Sequence, residues 1–126
     1  MTFEARMAAN FANAAIVALI STRAYPVDAG PSRALPYLTW RRIASSPEDT
    51  HDEQNPSLEE IAIQVDFFAA THEAATTLRR TVRTVLLADT TEGAVTRSNA
   101  TDLGHDDNLR SYAVSEDFTF WHNDAS

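Results

Sequence analysis

The stretch Glu59-Glu60-Ile61-Ala62-Ile63-Gln64-Val65-Asp66-Phe67-Phe68 decides the fold. Ile61, Ile63, Val65 and Phe67 alternate with Ala62, Gln64, Asp66 and Phe68. That period of two is the pattern of a strand with one buried face. Directly after it, Thr71 is placed to cap a helix from about His72 to Ala88. Its apolar face is Ala75, Leu78, Val82, Val85 and Leu86, with Arg79, Arg80 and Arg83 on the other side.

Two further strand segments flank this unit. Leu35–Ile43 is rich in aromatic and β-branched residues and carries proline near its start, where a strand tolerates it. Arg110–Trp121 alternates Tyr112, Val114, Phe118 and Phe120 with Ser115, Asp117 and Thr119. Val95–Asn99 predicts a weaker strand, and Leu103–Asn108 a polar turn. At the start, Phe3, Met7, Phe11 and Ala15 recur every four residues, the stripe of an amphipathic helix. A break near Asn10–Asn13 splits it, with Asn13 capping a second helix, Ala14–Ile20. Ser21–Pro26 leaves that helix as a short extended piece. The expectation is one α+β domain over residues 1–126, a two-layer sandwich of a mainly antiparallel sheet of about four strands with helices packed on it.

At 126 residues the chain has the size of one domain, and its 44% hydrophobic and 22% charged residues are those of a globular protein. The absence of cysteine excludes disulfides and thiolate metal sites. The formal charge is −8, and all ten basic residues are arginine. Such an acidic balance disfavours attraction to nucleic acid and to anionic membranes. The longest apolar run, Ala14–Ile20, is far below the ~20 residues of a spanning helix. Glu4 and a lone Arg6 do not make the basic start of a secretory leader.

Catalytic chemistry finds little support. His51-Asp52-Glu53 and His105-Asp106-Asp107 sit in stretches whose composition predicts solvated turns, without the helical ligand spacing of a metallohydrolase. Asp66 and Asp117, on the polar sides of two strands, are explained by an exposed sheet face. Three glycines build no phosphate loop, and no serine occupies a Gly-x-Ser-x-Gly elbow. No catalytic, cofactor-binding or metal residue is therefore assigned. The segment Ser45–Ser57 holds Glu48, Asp49, Asp52 and Glu53 without a large apolar residue, and reads as a long exposed loop. Phe68 and Trp121 lie opposite the core stripes of their strands. Either the first helices cover that second face, or a partner does.

Four segments together carry a family resemblance. They are Arg23-Ala24-Tyr25-Pro26, Leu35–Ser45, Ile63-Gln64-Val65-Asp66-Phe67-Phe68-Ala69 with the helix that follows, and Asp117-Phe118-Thr119-Phe120-Trp121. In that order, from about Ala14 to His122, they resemble the tail-terminator, or tail-completion and head–tail joining, proteins of long-tailed bacteriophages and phage-derived gene-transfer particles. The resemblance implies a non-enzymatic virion protein of the tail and neck. It would form a homohexameric ring on the head-proximal end of the tail tube, between the major tail tube protein and the head–tail connector. DNA would pass through the ring without specific binding, and no cofactor or membrane is implied. In that setting Glu48, Asp49, Asp52 and Glu53 are expected to face the lumen or the tube, and Arg79, Arg80, Arg83 and Trp121 to make subunit contacts. Two other readings remain open: another neck, adaptor or tube ring protein of the same particle, or an acidic regulatory or DNA-mimic binding module.

Overall fold

The computed structural model describes residues 2–26, 34–47, 58–90, 93–106 and 111–123. The elements run α1 (Phe3–Phe11), α2 (Ala14–Ile20), β1 (Ala24–Pro26), β2 (Tyr37–Pro47), β3 (Leu58–Ala69), α3 (His72–Leu87), β4 (Thr96–Asp106) and β5 (Ser111–Asn123). They form one sheet in the order β1-β2-β3-β5-β4 with the helices on it, an α+β architecture. The expected sheet of about four strands gains a fifth. β1, the extended piece after α2, pairs in parallel with β2, while all other pairs are antiparallel.

The helix boundaries follow from capping. Asn13 accepts a hydrogen bond from the Ala15 amide at 2.9 Å, and Thr71 accepts one from Ala74 at 3.1 Å. Each satisfies an amide that a helix start leaves without an intrahelical partner. The axis turns by 73° between α1 and α2. This bend lets the stripe Phe3, Met7, Phe11 and the pair Ile16, Ile20 all reach the same core.

The helices of the described residues all pack on one side of the sheet. Ile61, Ile63, Val65 and Phe67 of β3 are fully buried there, with Leu38 and Trp40 of β2, Val114, Phe118 and Phe120 of β5, and Ala75, Leu78, Val82 and Leu86 of α3. Phe3 packs edge-on against Phe120 at 5.5 Å and against Trp40 at 6.1 Å. The first helices thus cover the core face, and the alternative in which they shield the second face is not what forms. Covering one face with helices is a common arrangement for an antiparallel sheet.

The edges carry the other departures. β4 continues through Leu103 to Asp106, where a polar turn was expected. Pairing with β5 holds its polar residues in the strand, and the irregularities fall at Arg97/Ala100 and Asp102/Gly104. Bulges of this kind are a common device for blunting an exposed edge strand. β2 similarly runs on to Pro47, past a bulge between Arg42 and Ala44. The expected loop from Ser45 therefore begins later. Glu48, Asp49, Asp52 and Glu53 lie outside the described residues.

Candidate assembly surfaces

The face opposite the described helices is built from the out-of-phase residues of the strands. The register places Thr39 opposite Asp66, Gln64 opposite Asp117, and Asp66 opposite Ser115. Asp66 and Asp117 are therefore diagonal neighbours on this face, as their strand positions suggested. The Gln64 amide donates to Asp66 Oδ1 at 2.9 Å, and Arg41 reaches Gln64 Oε1 at 3.5 Å. Partial burial pushes the Asp117 carboxyl above its ordinary range, and the charges of Asp66 and Glu116 add to that.

Aromatic side chains close one end of the same face. Tyr37 stacks on Phe68 with ring centroids 4.7 Å apart, and Tyr25 meets Tyr37 edge-on at 6.0 Å. Phe68 is thus half-buried by its own neighbours. Trp121, also half-buried, lies against Gly93, whose φ of 127° is open to glycine and strained for other residues.

On the helix side, Glu116 is fully buried and gathers three arginines. Arg83 Nε and Arg97 Nη1 lie 3.1 Å from its carboxylate, and Arg79 Nη1 lies 3.7 Å away. Arg79 and Arg83, expected at a subunit boundary, thus hold α3 to β5 within the chain, while Arg80 is exposed. Glu116 and Arg97 escaped the sequence reading. Their signal was the phase of β5, in which position 116 falls between Val114 and Phe118 on the core side, so a carboxylate there must be paired.

A second buried charge also lay unread in the first helix. Arg6 shares the stripe of Phe3 and Met7; its Nε is 2.8 Å from Asp89 Oδ2 and its Nη1 donates to the Trp121 carbonyl at 2.7 Å. His105 packs on Tyr112 at 4.8 Å, and His72 Nε2 is 2.8 Å from Asp102 Oδ2. Among the described residues no group of three or more His, Cys, Asp or Glu is arranged to hold a metal ion.

Among the described residues, then, the helices take one side of the sheet, and the buried ion pairs Arg6–Asp89 and Arg79/Arg83/Arg97–Glu116 tie them to it. The fold is similar to a chain from the virion of a native gene transfer agent particle, with a TM-score of 0.61 at 14% identity, covering 94% of this chain and 96% of that one. No curated protein sequence matches. The family model of the tail completion protein gp17 matches residues 6–123, from α1 to the end of β5, and the chain belongs to that family. It is a structural protein of a phage-type tail, associated with other virion components.

Proposed function

We propose that the chain caps the head-proximal end of the tail tube as a ring of identical copies, ends tube growth and joins the tail to the head connector. The observation that carries this reading is the family match over residues 6–123, which runs from within α1 to the end of β5. The one-sided packing of the described helices supports it, because the other sheet face and the β4 edge, which no described helix covers, are surfaces that neighbours can use. On this reading Arg79, Arg80, Arg83 and Trp121 border subunit contacts. Glu48, Asp49, Asp52 and Glu53 face the lumen or the tube; in the lumen, carboxylates repel passing DNA. Neither role involves catalysis.

The test is a particle-producing strain lacking this chain, examined by electron microscopy. Tails of irregular length, separate from filled heads, are expected, and supplying the chain restores joined particles. Normal tails attached to heads in its absence would overturn the proposal. Long stacks formed by the purified protein alone would instead favour a tube subunit.

A further inference from the structure

On the face opposite the described helices, four polar residues form a square across β3 and β5. The register sets Gln64 opposite Asp117 and Asp66 opposite Ser115. Directly opposed residues of an antiparallel pair hold their Cβ atoms about 5 Å apart and diagonal ones about 7 Å, so Asp66 and Asp117 can both reach a point between them. Asp117 and Ser115 also line a depression of about 460 Å³, with Gln64, Ala100, Thr101 and Leu103.

Two members of this square lack partners. Among the described residues the half-buried Asp117 carboxylate takes no hydrogen bond and no ion pair. It is held against burial and against the like charges of Asp66 and Glu116. The Ser115 side chain is only 6% exposed and lines the same depression, and its hydroxyl has no hydrogen-bond partner either. A buried hydroxyl and a repelled carboxylate each cost free energy when left alone. Arg41 does not supply the missing charge: among the described residues it reaches the Gln64 amide oxygen, at 3.5 Å, and neither carboxylate. Gln64 gives Asp66 a neutral amide donor at 2.9 Å, which leaves the charge of Asp66 in place.

We propose that Asp66, Asp117 and the Ser115 hydroxyl bind an oxygen-preferring divalent cation, Ca²⁺ or Mg²⁺, at this depression. A hard cation takes carboxylate and hydroxyl oxygens and fills its remaining positions with water, for which the depression has room. A single positive charge would balance one carboxylate; a divalent ion balances both. Two carboxylates are few for such a site, so the expected affinity is weak, on the order of 0.1–1 mM. The site is separate from the capping reading and stands or falls alone.

An ion that binds only the folded chain raises its melting temperature as its concentration rises. The test is thermal melting of the full chain in chelator-treated buffer, titrated with CaCl₂ or MgCl₂ into the millimolar range, against NaCl at matched ionic strength. A rise beyond the NaCl control with at least one divalent salt, reversed by chelator, is expected. Asp117→Asn weakens binding by about tenfold or more and Ser115→Ala by a smaller factor, because the first removes a charge and the second a neutral ligand. Broadening of backbone amide NMR signals by Mn²⁺ locates the ion on the wild type, so the site can be judged even if a variant fails to fold. The signals of residues 64–66 and 115–117 should broaden first. No rise beyond the NaCl control, a rise kept in full by Asp117→Asn, or broadening centred instead on Glu48, Asp49, Asp52 and Glu53 would each overturn the site.

Discussion

Arg6 Nε sits 2.8 Å from Asp89 Oδ2, with the two side chains only 4% and 7% exposed, and this pair ties the first helix to the segment that leaves α3. Asn10 donates to the same carboxylate oxygen at 2.8 Å, and the Arg6 guanidinium lies 5.2 Å from the centre of the Phe120 ring. The knot joins α1, the end of α3 and the end of β5.

Arg6→Ala is accordingly expected to cost about 3–5 kcal/mol, because it leaves a buried carboxylate without its cation. Urea denaturation measures the loss. A cost below about 1 kcal/mol, the range of surface pairs, would show that the pair contributes little to the fold.

The arginines around Glu116 should be unequal. Glu116→Ala strands three guanidinium groups and is expected to destabilise by about 3–5 kcal/mol. Arg97→Ala, at a side chain 47% exposed, should cost under about 1 kcal/mol. Thermal melts of the two variants test the order, and equal losses would contradict the burial argument.

Asp117 gives a pH signature. Burial, then Asp66 and Glu116, raise its folded-state pKa above the ordinary 3.8. A raised carboxyl pKa means that the folded state holds the proton more tightly. The stability it lends is present below the unfolded value and lost as pH rises through the folded one. Asp117→Asn should therefore melt higher than wild type at neutral pH, and the difference should shrink on acidification towards pH 3.8. A difference that grows on acidification would refute the assignment.

Gly93 adopts a φ of 127°, and a Cβ there would approach Trp121 Cδ1 to 3.6 Å, an ordinary contact. The backbone, not the contact, is what resists substitution. Gly93→Ala should cost about 1–3 kcal/mol and leave the tryptophan environment nearly unchanged. Melting and tryptophan fluorescence together separate the two effects.

Neutralising Glu48, Asp49, Asp52 and Glu53 to their amides should leave the fold intact and reduce DNA delivery by assembled particles. Particle infectivity or transfer frequency, with tail length measured beside it, decides. Unchanged delivery would remove the lumen role proposed for these carboxylates.

Much of this architecture is visible in local pattern. The β3 alternation, the Thr71 and Asn13 caps and the α3 stripe each depend on neighbours within a few residues, so the sequence states them directly. The tail-completion family was legible in the order of four such segments. The extent of β4 was not, because a bulged, polar edge strand has no strict alternation and owes its form to β5.

By itself, then, the sequence determined a helix-and-strand order, a core stripe on each element and an acidic chain without thiols. Tertiary structure alone decided that the described helices α1, α2 and α3 share one face, because the phase of a stripe does not say which side of a sheet it will meet. It also decided which arginines are spent inside. Arg6 finds Asp89 across 83 residues, and Arg83 finds Glu116 across 33. Charge pairing at such separations is set by packing of the elements that carry the groups, so Arg80 is distinguished from Arg79 and Arg83 only once α3 lies on β5.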